Sequence, residues 1–430
     1  MIIICDLMCK GISHEKVNSG FISGLRLAFP TEKIIFYADP THIVAIKNIL
    51  QHDKIEIRQI EYKALHVKHN SFLFNIFNSY CRLSGLLSDV VSFGADKVFF
   101  LSFDVRALFL LKKLKEQSRF AHLKFAFVLH GAFESIAIDG ERARSIGLPR
   151  DSIPSVTFLG AKEKIRRIGL TDIPRLLLYR VLNTLPRLPL PRRLTDFFLL
   201  KNVMEWKHSS DYRYISLSPH ITANAAEYLD TNKLNFHTVI LPTNFVKSES
   251  APHNIYPKFA VFGYGDSLVL HNIAYALSER RIFKKYEIKI IGMDNRGTEG
   301  FANITCASPG RPLDRSEMEK QAEDIDVFLI LYDKSKYRLS CSGSILEALS
   351  MSKPIIHFDN ECLNYFNKLD SPIGFRCFSF NEYVNRIVDV IDNYEKYQYE
   401  FAAFRRNIQQ RRLECSIERS VPALRVSFEW

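Results

Sequence analysis

SGSILEALSMSKPII, residues 342–356, sets Ser-Gly-Ser directly before an apolar helical run, and Lys-Pro directly before a second apolar run that reads as a buried strand. A helix opening at Ser342-Gly343-Ser344 leaves its first amides without partners inside the helix. Those amides, backed by the positive end of the helix dipole, suit an anion, and Gly343 adds no side chain to hold one off. Glu347, one turn further in, suits the diol of a ribose, and Arg338 upstream offers charge to a phosphate. The same residues also make an ordinary Ser-capped amphipathic helix, with Leu346 and Leu349 in the core and Glu347 on a solvated face. What surrounds them decides between the two.

The flanking runs DVFLILYD (326–333) and KPIIHFD (353–359) read as strands, and strand-helix alternation continues outward from them. Strand patterns recur at 258–264, 286–293 and 303–308, helical ones at 266–284, 315–324, 343–351 and 361–369, and a last long helical pattern covers 381–413. The first half reads the same way. Its strand patterns are 2–5, 33–39, 55–60, 97–102, 124–131, 212–218 and 236–243, and its helices lie near 15–28, 41–52, 70–93, 104–117 and 219–230. Nearly continuous apolar strands between helices predict parallel sheets covered on both faces. NFVKSESAPHNIYP (244–257) reads as a linker. We therefore expect an α/β protein of two doubly wound, Rossmann-like domains, 1–245 and 246–430, facing a central cleft. Ligands in such folds bind at the carboxyl ends of the strands, which places 342–347 at the cleft.

The alternation breaks over about 135–205, a Pro-, Arg- and Leu-rich insert within the first domain. Of the net charge of +11, the segment 162–201 alone carries +7, with ten Lys/Arg against three Asp/Glu. Basic residues interleaved with Leu, Ile and Phe suit a segment lying on an anionic membrane surface, at about 1 kcal/mol per basic residue. A solvated loop is the plainer reading, and no nucleic-acid recognition motif is present. The eight cysteines form no CxxC pair and no zinc spacing, so reduced thiols of a cytoplasmic protein are expected. MIIICDLMC lacks the features of a signal peptide, and no apolar run approaches the ~18 residues of a membrane span.

The quoted stretch resembles the donor-site motif of GT-B glycosyltransferases that use nucleotide sugars, the bacterial group 1, family 4-like enzymes. In them an SG/S...LEA...GKP(V/I)I pattern follows a strand led by an aspartate, here Asp326. The resemblance spans both halves: VILPTN (239–244) is similar to the element closing the N-terminal domain, AVFGYG (260–265) to the first C-terminal strand with its glycine, Gly263, and IKIIGM (288–293) to a following strand. It implies that Glu347 binds the donor ribose, that Ser342, Gly343 and Ser344 touch the diphosphate beside Gly263, and that His130 of LHGAFESI contacts the donor sugar. The chain departs from the pattern at two places. Leu339 stands where many retaining members have a glutamate, which leaves retention or inversion open. YGDSLVL after Gly263 lacks the usual Arg and Lys, so phosphate charge falls to Arg338, Arg311 or Arg315.

Two further groups carry chemistry. His130 ends a strand pattern, where imidazole can hydrogen-bond a sugar hydroxyl or share a proton with a departing phosphate, with Glu134 nearby to orient it. In CKGISHEKVNSGFISGL (9–25), the family's acceptor-side loop, His14 and Glu15 are both of a type to take an acceptor proton, although Glu15 also fits a helix start. No DxD-type cluster stands at a strand end, so neither metal nor cofactor is expected. The resemblance implies an enzyme moving a sugar from a nucleotide-diphosphate sugar to a glycan or lipid-linked saccharide, peripheral on the inner membrane face, as in bacterial surface polysaccharide assembly. A nucleotide-sugar epimerase and a non-catalytic membrane-surface scaffold are the alternatives.

Overall fold

A computed structural model describes residues 1–53, 55, 60–65, 72–134, 136, 200–245, 254–262, 266–292, 298–307, 313, 315–332 and 334–430. Of 72–77, 132 and 315 it describes the backbone alone. Most of the basic insert lies outside the described residues, as do Gly263 and Arg311, and so does the side chain of Arg315.

The first sheet is wholly parallel. Its strands are β1 (Ile2–Asp6), β2 (Ile34–Ala38), β3 (Ile60–Ala64), β4 (Lys97–Ser102), β5 (Lys124–Val128), β6 (Tyr212–Ser216) and β7 (Phe236–Thr238), in the order β3-β2-β1-β4-β5-β6-β7. Its helices are α1 (Glu15–Ala28), α2 (Pro40–His52), α3 (Phe72–Ser92), α4 (Val105–Lys115), α5 (Leu200–Glu205) and α6 (Pro219–Ala225). The second sheet, also parallel, contains β8 (Lys258–Phe262), β9 (Glu287–Ile291), β10 (Ile304–Cys306), β11 (Val327–Ile330), β12 (Ile355–Phe358) and β13 (Gly374–Cys377), in the order β10-β9-β8-β11-β12-β13. Around it lie α7 (Ser267–Ser278), α8 (Arg315–Ala322), α9 (Gly343–Ser350), α10 (Glu361–Phe366), α11 (Phe380–Asp392) and α12 (Tyr394–Glu414). Each sheet reverses its winding once, between β1 and β4 and between β8 and β11, and the crevice at such a switch point is where doubly wound folds take ligands.

The central strands β1, β2 and β11 are buried along their whole length, as parallel strands sandwiched between helices require, while β3, β7 and β10 toward the sheet edges are only partly buried. The many aromatics of the first half stack across β4, β5 and β6: Phe100 lies on Phe127 with ring centroids 5.1 Å apart, and Phe127 on Tyr214 at 5.8 Å. Offset rings at such distances add to the area they bury. One apolar cluster continues from this sheet through the domain contact to Ile345 and Leu349 of α9.

Two expectations are corrected. The edge strand pairs from Ile60, opposite Ile34, and runs to Ala64 rather than over 55–60, of which 56–59 lie outside the described residues. The helical pattern 381–413 is two helices, α11 and α12, parted at Asn393. A further helix, α13 (Ile417–Phe428), crosses back and packs on α1. Gly24 permits that approach, because a Cβ there would lie 2.5 Å from Leu424 Cδ1. Arg425 Nε donates to Ala28 O at 2.9 Å, and Trp430 Nε1 to Ser210 O at 3.0 Å. The chain thus crosses between the sheets twice, and Thr243 N donates to Cys415 O at 3.4 Å where the crossings run side by side.

Candidate active site

Asp326 and Lys353, at the two ends of the motif, hold the fold. The Asp326 carboxylate accepts from Lys258 N at 2.9 Å and Asn254 Nδ2 at 3.0 Å, fastening the start of β8 to β11. Lys353 is buried and donates to the carbonyls of Glu323 and Ile325 at 2.9 and 2.7 Å, and burial pushes its ammonium down to about 8.

Between them, α9 opens at the cleft. Ser342 is turned inward: its amide donates to Cys362 Sγ at 3.4 Å and its hydroxyl meets that of Tyr332, so it does not present itself to a ligand. Gly343 and Ser344, the first two residues of α9, have amides without partners among the described residues. A Cβ on Gly343 would meet nothing within 4 Å, so this turn faces open space. Glu347 is mostly buried and ion-paired across the cleft, its Oε2 3.1 Å from Nζ of Lys16 in the first turn of α1. Arg338 points elsewhere, to Glu227 on the first domain, with Nη2 3.0 and 3.1 Å from its two oxygens.

The facing wall is built at the ends of β1, β4 and β5. Asp6 accepts from the amides of Met8 and Cys9 at 2.9 and 2.7 Å, from Ser102 Oγ at 2.6 Å and from Asn18 Nδ2 at 2.6 Å. Burial works against its charge, but the bonds donated by Ser102, Cys9 and Met8 outweigh burial and hold its carboxyl below the usual range. Asp6, Cys9 and His42 lie within 4.8 Å of one another, as metal ligands can. They do not fit one here: besides the occupied carboxylate, His42 Nδ1 meets Gly11 O and Nε2 meets Asn18 Nδ2, each at 2.8 Å. This network fixes the loop that ends in His14, which stands in the left-handed region at φ 55.

His14 and His130 meet edge to face with ring centroids 4.6 Å apart, and with Cys9, Ser102 and Phe103 they border a cavity of about 170 Å³. Nε2 of His130 is shut off from water and has no partner among the described residues. Burial, reinforced by repulsion from His14, pushes this imidazole down to about 3, so it is neutral near pH 7. Burial also lowers His14 below its ordinary value. Glu15 opens α1 beside them but does not border the cavity, and Glu134 is spent across the cleft, accepting from Leu339 N at 3.0 Å and Ser340 Oγ at 2.8 Å. A low-pKa, desolvated imidazole is a poor acid; His130 is fitted to hydrogen-bond a bound group.

These histidines make stability depend on pH. His357, buried in β12 between Phe358 O and Asn367 Nδ2, is likewise held down, to about 4, by burial. Both folded values lie below the ordinary 6.5, so the unfolded chain binds the extra protons. Their stabilising effect is complete above pH ~6.5 and is lost by about 1.4 kcal/mol per pH unit per group as the pH falls through the window. Thermal midpoints measured from pH 7 down to 4 fall; a midpoint that stays level contradicts the burial of these rings.

The sequence singled out His14 and Glu15 but not Lys16 beside them, since nothing in SHEKV announces a partner 331 residues away.

No protein-family model matches the chain, and no curated protein matches its sequence. Solved structures match its fold. A glycosyltransferase from Rickettsia africae is 11% identical with a TM-score of 0.55, the match covering 98% of this chain and 96% of that one. The lipopolysaccharide outer core galactosyltransferase WaaB is 11% identical with a TM-score of 0.56, over 99% and 98%. HepE of Anabaena, solved in complex with UDP-glucose, is 12% identical with a TM-score of 0.56, over 98% and 97%. The chain has the GT-B fold. Among the described residues no helix is long and apolar enough to cross a membrane.

Proposed function

We infer that the protein is a glycosyltransferase carrying a sugar from a nucleotide-diphosphate donor to a saccharide acceptor, with the nucleotide on the second domain and the acceptor on the first. The observation that carries this reading is the opening of α9: the amides of exposed Gly343 and of Ser344 behind it have no partner among the described residues, and the cross-cleft pair of Glu347 and Lys16 lies one turn on. A diphosphate set against Gly343 and Ser344 draws on the helix dipole and on Lys16, which supplies the charge missing after Gly263. Glu347 then exchanges Lys16 for the ribose hydroxyls.

In the transfer, the acceptor hydroxyl oxygen bonds to the anomeric carbon while the bond from that carbon to the diphosphate oxygen breaks. The electron pair leaves with the diphosphate, whose developing charge meets amides and ammonium already in place. His130, neutral and with Nε2 unpartnered among the described residues, hydrogen-bonds a hydroxyl of the donor sugar once a small turn of the ring brings Nε2 to the cavity it borders. His14, also neutral and bordering the same cavity, is placed to take the acceptor's proton, a role for which Glu15 is less well placed. No step needs a metal. The acceptor is a glycan or lipid-linked saccharide, and the basic insert lets the protein gather at an anionic cytoplasmic membrane face.

Incubating the full chain with a panel of nucleotide sugars, with and without mixed saccharide acceptors, tests this. Transfer predicts nucleoside diphosphate release that rises several-fold when an acceptor is added. Release of free sugar without acceptor dependence would instead identify an epimerase, and no binding of any nucleotide would leave a scaffold.

A further inference from the structure

Beyond the reacting centre, the cleft opens into a cavity of about 1000 Å³, at the upper end of the range for small-molecule sites. Gly131 borders both this cavity and the small one holding His14 and His130, so the two adjoin. Its floor is the turn 334–337, and three side chains pin that turn by its carbonyls. His220 Nε2 bonds Tyr337 O at 3.1 Å, Asn224 Nδ2 bonds Arg338 O at 3.0 Å, and Asn360 Nδ2 bonds Lys336 O at 2.8 Å. Tyr337 is held at φ 60 with its ring 4.8 Å from that of Tyr332. A non-glycine residue in that region costs free energy and persists only where its surroundings fix it.

The fixed turn presents charge. Lys334 and Lys336 are exposed on it, and among the described residues neither ammonium has a partner. The carboxylates on the wall are all engaged: Glu134 by Leu339 N and Ser340, Asp359 by Arg376 at 2.6 Å, and Glu361 by Asn224. The lining carries four cations, Lys334, Lys336, Arg338 and Arg376, against three carboxylates, and with two of those cations unpaired among the described residues it is complementary to a polar, negatively charged ligand.

We propose that the acceptor, whose reacting end lies on the first domain, extends across the cleft into this cavity, and that the cavity selects a saccharide bearing an anionic group, phosphate or carboxylate, which Lys334 and Lys336 of the second domain hold while the accepting hydroxyl reaches the His14 and His130 cavity. The proposal rests on the glycosyltransferase reading and deepens it by naming the acceptor's charge.

The test uses the full chain and three probes followed by saturation-transfer NMR: glucose 6-phosphate, glucuronate and neutral glucose. The expected result is at least tenfold tighter binding of one or both charged sugars than of glucose, weakening as salt is raised. Which of the two binds separates phosphate from carboxylate. Lys334→Glu with Lys336→Glu, both at exposed positions, abolishes that preference; Lys334→Arg with Lys336→Arg retains it; and nucleoside diphosphate binding is unchanged in both. Equal binding of charged and neutral sugars, or a preference that survives the glutamates, overturns the proposal. Failure of the unaltered protein to bind any nucleoside diphosphate sinks the glycosyltransferase reading instead, so the two failures are distinct.

Discussion

Glu347→Ala weakens binding of the cognate nucleoside and of its diphosphate alike, by roughly 10- to 150-fold, the loss expected when hydrogen bonds to a charged group worth about 1.5–3 kcal/mol are removed. The carboxylate is mostly buried, so a diol that replaces water and Lys16 there gains bonds that solvent does not supply equally well. Lys16→Met gives a different pattern. It weakens the diphosphate at least tenfold and leaves the nucleoside nearly unaffected, because an ammonium acts on the phosphates and not on the ribose. The paired variants therefore separate a binding role from a merely structural one. If Lys16 and Glu347 only clamp the domains, both substitutions lower the thermal midpoint and change nucleoside and diphosphate affinity by the same small factor. Calorimetric titration of each variant with a nucleoside and its diphosphate distinguishes the outcomes.

His130→Phe lowers kcat/KM for transfer by roughly 10- to 100-fold and raises the thermal midpoint of the unliganded protein. The two effects have one cause. Nε2 of His130 is buried and has no partner among the described residues, a state that costs about 1–3 kcal/mol while no ligand is present. A phenyl ring of similar shape removes that cost and, with it, the bond to the donor sugar. A gain in stability paired with a loss of turnover marks a residue kept for function. The variant is also less sensitive to acid, because one of the rings that resist protonation is gone. Unchanged turnover would remove His130 from the reacting centre, and a lowered midpoint would show that Nε2 has a partner in the folded protein.

Much of the architecture was legible in the sequence because parallel strands buried on both faces write themselves as short apolar runs. KVFFLS, predicted over 97–102, is strand β4 to the residue. Elements with weaker signals were lost: β13 is only GFRC, with a glycine and an arginine in four residues, and IEYKA alternates as an edge strand while its neighbour 55–60 looked more apolar. The return of α13 to the first domain was invisible too, since a helix's sequence states which face is apolar but not which sheet it covers.

Within the site, the reading located a helix start but could not tell which of its three residues faces outward. Ser342 was drawn into the core by Cys362 and Tyr332, neither of which is its neighbour in sequence. Arg338 was expected at the phosphates because it is cationic and close in sequence, whereas Glu227, reached only through the tertiary fold, holds it away. Lys16 and the pinned turn at 334–337 were missed for the same reason: Lys16 is defined by a partner more than three hundred residues distant, and two of the three side chains that pin the turn, His220 and Asn224, lie more than a hundred residues away.

The most direct measurement is a crystal structure with the tightest-binding nucleoside diphosphate. The account predicts its terminal phosphates within hydrogen-bond distance of the Gly343 and Ser344 amides, Lys16 Nζ turned to them, and the ribose hydroxyls on Glu347. A nucleotide bound elsewhere, with the Lys16–Glu347 pair intact and those amides still empty, would contradict it.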